Sequence, residues 1–409
     1  MKILLVTQFY YPERFSTTDI AEELVKLGND VTVLTGKPNY GYGYILKEYK
    51  KVKEEVINGV RVLRTKLYPR KYSRISIIRN YLSFHRNAKR YVKKLDDDFD
   101  IVLSISLSPV ISIAPAIKYA KKHQVPHILY CQDLWPESTV VTNAVRKGSL
   151  VYKILYKWSK KLYEKCDEII ISSPSFKKYF NDVLKITDKK FPVVYQPILN
   201  SKEALEPIEF NKKHNFVYAG NIGTLQLTNE LVEAMNLLKR DDAKLYLMGM
   251  GTNLNKIKEK IVEYHLEEKV EYVGALPIEK AERYYHNADA LIVSLKNEGT
   301  VGKTIPNKAI QYMKYGRPLI GVIQGDAKEL LSKAKGTVFA GENPKEVADI
   351  FNQFCDYSDK EKALMGHNNK QYFNLHLTAE KLTSQLFDVL KDFKKWEIPS
   401  PCTKHPYIE

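Results

Sequence analysis

The chain has little cysteine, and none of it is arranged for metal or redox chemistry. Cys131, Cys166, Cys355 and Cys402 are scattered over 409 residues, with no CxxC and no Cys/His cluster. This excludes a zinc ribbon or a disulfide framework and reads as four free thiols in a reducing cytoplasm. No window approaches the roughly 18 uninterrupted apolar residues of a membrane-spanning helix. The longest candidate, Ile101–Ala120, is broken by serines and prolines. The start, MKILLVTQFYYPE, has one lysine and a short apolar run that breaks at Pro12, so a buried strand is expected there and not a signal peptide. Acidic residues are missing from one long stretch: Arg61–Lys94 holds 12 Lys/Arg and no Asp or Glu.

That stretch belongs to a lopsided charge distribution. The net charge is +16, and residues 1–200 hold 35 Lys/Arg against 19 Asp/Glu while the remainder holds 29 against 29. The whole excess therefore sits in the first half. Tyr68, Tyr72, Tyr81, Phe84 and Tyr91 interleave the cations, and a second basic-aromatic run follows at Tyr152–Lys165. Such runs read as a solvated helix face, a nucleic-acid interface, or a surface that docks on an anionic membrane, where each Lys or Arg adds roughly 1 kcal/mol. Ile75, Ile78, Leu82 and Phe84 lie among the cations of Arg74–Lys94, as an amphipathic helix requires. No nucleic-acid motif is present. A membrane partner is expected for the first half and no nucleic acid.

At this length two domains are the better expectation. Short apolar strands are predicted at Lys2–Thr7, Val31–Thr35, Val60–Lys66, Ile101–Ile105, His127–Tyr130, Ile169–Ser172 and Val193–Tyr195. Helical periodicity separates them at Thr17–Leu27, Arg74–Lys94, Pro115–Lys122 and Pro174–Phe180. The pattern lapses around Gln196–Asn211, near Pro197 and Pro207, and restarts. Strands at Asn215–Ala219, Lys244–Met248, Val270–Val273, Ala290–Ser294 and Leu319–Ile323 alternate with helices at Thr228–Leu238, Leu254–Tyr264 and Ile278–Asn287. Pro344–Phe354 and Thr378–Phe393 are expected as terminal helices. The fold class that follows is α/β, with two Rossmann-like doubly wound domains facing across a ligand crevice at their strands' carboxyl ends. The expected bounds are 1–196, 197–377 and a C-terminal helix at 378–396 packing back on the first domain, with a disordered tail at 397–409.

Glu298–Gly321, EGTVGKTIPNKAIQYMKYGRPLIG, is the most informative segment. Gly299 and Gly302 allow a tight loop, Thr304 is placed to cap a helix, and Pro306 suits its first turn. Ile305, Ala309, Tyr312 and Met313 share a face, and Gly316 and Pro318 end the helix. A glycine loop feeding a helix N-terminus offers N–H groups to a phosphate, and Lys303 and Lys308 add charge. Pro306-Asn307-Lys308, Gln311-Tyr312-Met313 and Gly316-Arg317-Pro318 resemble the donor-site segment of bacterial family 4 glycosyltransferases, in which Pro-Ser-Lys or Pro-Asn-Lys precedes Glu-Tyr-Met and Gly-Lys-Pro. The resemblance runs through most of the chain. It implies the GT-B fold and sugar transfer from a nucleotide-sugar, with a UDP-sugar the expected donor, and with retention.

It also assigns a donor site. Lys303, Thr304, Ile305, Pro306, Asn307 and Lys308 approach the diphosphate. Gly220-Asn221-Ile222-Gly223, after a strand, corresponds to a phosphate loop, with Thr224 beside it. Asn221 and Gln226 stand where the family carries Arg and Lys. Gln311 stands for the Glu that holds the ribose, and Lys303 occupies the place of a second Glu eight residues upstream. Glu298 is the nearest acid to the sugar. Gly249-Met250-Gly251 resembles the family's next glycine loop. Gly274-Ala275-Leu276 resembles the backbone that meets the base, which makes Ala275 and Leu276 candidates. In Phe9–Thr18, Ser16 and Thr17 replace two glycines and can bond a phosphate or cap the helix.

Asp133-Leu134-Trp135-Pro136-Glu137-Ser138 resembles a phrase of a polysaccharide branch that includes N-acetyl-fucosamine transferases of O-antigen and capsule synthesis. Asp133 and Glu137 are the catalytic candidates, placed to orient or deprotonate an acceptor hydroxyl, and Trp135 can stack on a sugar. No metal and no cofactor are expected, because the literal Asp-x-Asp at Asp96–Asp98 lies far from any phosphate loop. The resulting expectation is a cytoplasmic transferase, peripheral on the inner face of the plasma membrane, acting on a lipid-linked saccharide. Two alternatives stand beside it: a nucleotide-sugar epimerase on the same fold, or an inactive membrane-bound partner subunit.

Overall fold

Val/Ile/Leu-rich strands that are buried along nearly their whole length need cover on both faces, and helices provide it here. The computed structural model describes residues 1–13, 15–71, 73–141, 143–198, 208–300, 302 and 304–394. The first unit is a seven-stranded sheet of β1 (Lys2–Val6), β2 (Asp30–Gly36), β3 (Glu54–Ile57), β4 (Val60–Thr65), β5 (Ile101–Ser106), β6 (His127–Cys131) and β7 (Glu168–Ile171). Its strand order is β3-β4-β2-β1-β5-β6-β7. All neighbours are parallel except β3 and β4, which form a hairpin through Asn58 and Gly59, both at positive φ.

The helices of this unit are α1 (Ser16–Lys26), α2 (Arg74–Tyr91), α3 (Ala114–His123), α4 (Glu137–Val141), α5 (Leu150–Tyr163) and α6 (Ser175–Lys178). Strand β3 was not expected, because Glu54-Glu55-Val56-Ile57 has no apolar alternation and is exposed or half-exposed throughout. Val193–Tyr195 does not form a strand; Val193 makes a single bridge with Ile171.

The second unit is an all-parallel sheet of order β10-β9-β8-β11-β12-β13. Its strands are β8 (His214–Ala219), β9 (Ala243–Met248), β10 (Val270–Gly274), β11 (Ala290–Ser294), β12 (Leu319–Val322) and β13 (Thr337–Phe339). Around it lie α7 (Thr228–Leu237), α8 (Leu254–Glu263), α9 (Ile278–Asn287), α10 (Asn307–Met313), α11 (Gly325–Ala334) and α12 (Pro344–Asp356). Then come α13 (Asp359–His376), opened by a Ser358–Glu361 capping box, and α14 (Ala379–Lys394).

Two features join the units. Leu382, Leu386 and Leu390, four apart on α14, are buried, and α14 packs along α1 of the first unit. Across the crevice, Asp326 in the first turn of α11 accepts hydrogen bonds from Ser173 Oγ and, at 2.7 Å, from the Ser175 backbone N–H. The end of β7 therefore meets the turn after β12, and the carboxyl ends of both sheets face one crevice. The expected tail lies outside the described residues. Among the described residues no helix is long and apolar enough to cross a membrane.

Candidate functional site

Strand β8 ends at a position shaped for glycine. Gly220 has φ +145°, and a Cβ there would stand 2.9 Å from Lys308 Nζ. A Cβ on Gly249, after β9, would stand 1.8 Å from the carbonyl oxygen of Gly220. The two glycine loops thus touch backbone to backbone at the carboxyl ends of adjacent strands. Tyr312 of α10 locks this floor, accepting from the Ala219 N–H and donating to the Ala219 carbonyl, both at 3.0 Å. Gly220, Asn221 and Thr224 are exposed on it, and Gly223 is buried.

Lys308 is the main cation of this floor. Its Nζ is buried, lies 3.9 Å from the centre of the Tyr218 ring, and has no hydrogen-bond partner among the described residues. Burial lowers its pKa from 10.5 to about 7. An unpaired ammonium in such a place is costly unless an anion completes it. The helix it stands on is shorter than expected. Pro306 is the N-cap, Thr304 does not cap, and α10 has seven residues. A phosphate on this floor would meet the charge of Lys308 more than a helix dipole. Lys303 lies outside the described residues. Ile305 packs on the core and Asn307 is exposed.

The residues replacing the family's Arg and Lys bind each other: Asn221 Nδ2 donates to Gln226 Oε1 at 3.1 Å. Ser294 Oγ holds the Gln226 carbonyl at 2.6 Å. Gln311 Nε2 donates to Tyr315 OH at 3.5 Å, and Tyr315 OH donates to Glu282 Oε1 at 2.6 Å. Among the described residues no hydrogen bond reaches the amide oxygen of Gln311. Glu282, only 1% exposed, is an acid that the sequence reading missed; it sits on α9, far in sequence from the motif, so no spacing rule could find it. Glu298 is exposed and pairs with Lys296 at 2.8 Å, as a solvated loop charge does. Ala275 is exposed and Leu276 half-buried in the turn after β10.

On the first unit, Thr17 is not a cap. It is buried and donates to the Phe9 carbonyl at 3.0 Å, while Phe15 is the N-cap of α1 without a side-chain bond. Ser16 remains half-exposed at the first turn. Glu13, also missed, accepts from the Asn39 N–H at 2.6 Å and the Tyr40 N–H at 2.5 Å, fixing the loop after β2. Asp133 follows β6. Burial raises its pKa from 3.8 to about 7, and no hydrogen bond reaches its carboxylate from the described residues. A carboxyl held near neutrality suits proton transfer at cellular pH.

Glu137 differs. It is buried, accepts from Tyr152 OH at 2.6 Å and faces Lys147 Nζ at 3.7 Å, so it ties α4 to α5. Both its oxygens are engaged, which takes it out of the acceptor role. Trp135 donates from Nε1 to Ser108 Oγ at 2.9 Å and packs on the core, which removes its ring from sugar stacking. Asp96 pairs with Lys122 on the surface. Among the described residues no group of three or more His, Cys, Asp or Glu is placed to hold a metal ion.

Two facing Rossmann-like units, with a glycine floor and a buried ammonium on the second and the carboxyl of Asp133 on the first, are compatible with a nucleotide-sugar crevice. Residues 15–198 match the family model described as Glycosyltransferase Family 4, and residues 213–356 match Glycosyl transferases group 1. The chain is a glycosyltransferase of the GT-B fold. A probable glycosyltransferase, WbjE, of Pseudomonas aeruginosa is 22% identical over 68% of this chain and 73% of its own length. The amylovoran biosynthesis glycosyltransferase AmsD of Erwinia amylovora is 22% identical over 56% of this chain and 60% of its own.

The transferase superposes on sucrose-phosphate synthase from Thermosynechococcus elongatus with a TM-score of 0.75, at 15% identity over 97% of this chain and all of that one. Anabaena Alr3699/HepE in complex with UDP gives a TM-score of 0.67 at 12% identity, over 96% of this chain and 100% of that one.

Proposed function

We propose that this transferase moves a sugar, with retention, from a UDP-sugar to a lipid-linked saccharide in bacterial surface polysaccharide synthesis. The observation that carries the reading is the buried, partnerless ammonium of Lys308 against Gly220. It supplies the charge that a departing diphosphate needs, in place of the Arg and Lys that Asn221 and Gln226 replace. Gln311 Oε1 is left open for a ribose hydroxyl, and Ala275 and Leu276 stand where a base would rest. The sugar is attacked from the face that UDP leaves, and the diphosphate helps take the acceptor's proton. Asp133 orients the acceptor hydroxyl from the other unit.

Three things support the choice of substrates. The structural neighbour Alr3699/HepE holds UDP, the relative AmsD is named for amylovoran biosynthesis, and Asp133–Ser138 is worded like the N-acetyl-fucosamine branch. The excess positive charge of residues 1–200 supports a site of action at the inner, anionic face of the plasma membrane.

The test is incubation of the protein with UDP-sugars and bacterial membranes. Free UDP together with a new lipid-linked product of retained anomeric configuration, unaffected by EDTA, is the expected result. An isomerised nucleotide-sugar would instead make it an epimerase. No conversion of either kind would favour an inactive partner subunit, the reading that the uncharged Asn221–Gln226 pair invites.

A further inference from the structure

We propose that α2 and α5 form one two-pronged surface that seats the first unit on an anionic bilayer, apolar side chains of both helices lying below the headgroups. This rests on the reading of the acceptor as lipid-linked. It adds a second helix, the inserted residues and an orientation to the charge asymmetry.

The two helices are neighbours. Both pack on the turn Val110–Ile113, and the His85 ring of α2 bonds the Ile111 carbonyl at 3.3 Å. They also cover the same sheet face. Helix α2 buries Phe84 and Ala88 over Leu4 and Val102, and α5 buries Leu162 and Tyr163 over Leu129 and Ile169. The strand registers put those four strand residues on one side.

Their outer ridges match. Ile75, Ile78 and Leu82 are 65%, 56% and 49% exposed on α2, and Leu150, Ile154 and Trp158 are 74%, 58% and 39% exposed on α5. In each helix the spacing of three or four keeps them on one stripe. Most of these apolar residues stand toward the N-terminal half of their helix, among Arg74 and Arg79 on α2 and Lys153 on α5, and further cations follow: Arg86, Lys89 and Arg90 on one, Lys157 and Lys161 around Trp158 on the other. Helices of parallel crossovers run against the strands they join, so both N-terminal halves lie at the carboxyl ends of the sheet. That is the rim of the crevice.

An apolar rim backed by Lys and Arg, with a tryptophan between, has the profile of an interfacial element. Its charge selects the occupant. Helix α2 contains no Asp or Glu, so a second copy of the same face would meet it with like charge, whereas an anionic lipid surface attracts it. The bilayer would then meet the enzyme at the acceptor side of the crevice, where a lipid-linked saccharide has the shortest path to Asp133.

Cosedimentation with phosphatidylcholine vesicles, with and without phosphatidylglycerol, tests this. Wild type should bind the phosphatidylglycerol vesicles, lose them at high salt, and ignore the neutral ones. Ile78→Ser and Ile154→Ser should each weaken binding by about tenfold or more, and together remove it. Trp158 emission should shift to the blue on the anionic vesicles, a shift absent from Trp158→Phe. Unchanged binding in the double variant, or equal binding to both vesicle types, overturns the proposal. So does a concentration-dependent dimer that the same substitutions dissolve. Transfer to a detergent-dispersed acceptor reports on the reaction alone. A protein that docks as described but transfers nothing there upholds the surface and overturns the reaction.

Discussion

The ammonium of Lys308 lies 3.9 Å from the centre of the Tyr218 ring and has no hydrogen-bond partner among the described residues. A ring face recovers only part of the hydration that a buried cation loses. Lys308→Met keeps the stem and removes the charge. The ligand-free variant should be more stable by about 1–3 kcal/mol, the usual cost of an unsatisfied buried polar group, and should bind UDP roughly tenfold to a hundredfold more weakly. Thermal melts with and without UDP check both. A less stable variant with undiminished UDP affinity would take Lys308 out of the site.

The same lysine gives UDP binding a pH dependence. Burial holds its pKa at about 7 in the free protein, and a bound diphosphate favours the charged form and raises it again. Binding above pH 7 therefore takes up a proton. Affinity should fall by up to about tenfold per pH unit above that point. The sign for stability follows from the same group. Its folded-state pKa lies below its unfolded one, so the folded protein binds fewer protons between about 7 and 10.5, and ligand-free stability gains from Lys308 as pH rises through that window. Calorimetry in buffers of different ionisation enthalpy counts the proton, and Lys308→Met should abolish it.

Asp133 and Glu137 should separate cleanly. Turnover is expected to rise with an apparent pKa near 7, where the buried Asp133 ionises. Asp133→Asn should cut turnover by about a hundredfold or more, flatten that profile and leave UDP affinity intact. Glu137→Gln should instead cost about 1–3 kcal/mol of stability through the Tyr152 contact, with turnover largely retained. Turnover of Glu137→Gln as low as that of Asp133→Asn, in a folded protein, would return Glu137 to the acceptor site.

Asn221→Arg tests where the diphosphate lies. The position is exposed, so a restored charge is screened and should strengthen UDP binding only about threefold to tenfold. No gain by titration calorimetry would place the diphosphate away from the β8 loop.

The buried parallel strands were legible because each is a short apolar run between helical stretches. Ala290–Ser294 and Ile278–Asn287 are predicted to the residue. Strand β3 was not, since its Glu54–Ile57 has an exposed face and leans on β4 alone. Helix α13 was missed because its buried Gly366, Asn369 and Phe373 make a narrow, partly polar stripe. Lys308 and Asp133 stood out from their motifs, but their environments did not. That Lys308 is unpaired, and that Glu137 is paired to Tyr152, depends on elements brought together only by the fold. Glu282 and Glu13 carried no motif at all.

Helix α14 gives the molecule a covalent topology that a string of two beads would lack. The chain crosses between the units once after Ile198 and again before α14, so any opening of the crevice must bend two strands of backbone and is held to one axis. The polypeptide up to residue 198 also lacks part of its own wall. Without Leu382, Leu386 and Leu390, the apolar side of α1 would be bare, and that fragment would be sticky in isolation. The helix that finishes the first unit therefore follows the whole of the second in the chain, which ties completion of the first unit to synthesis of the second.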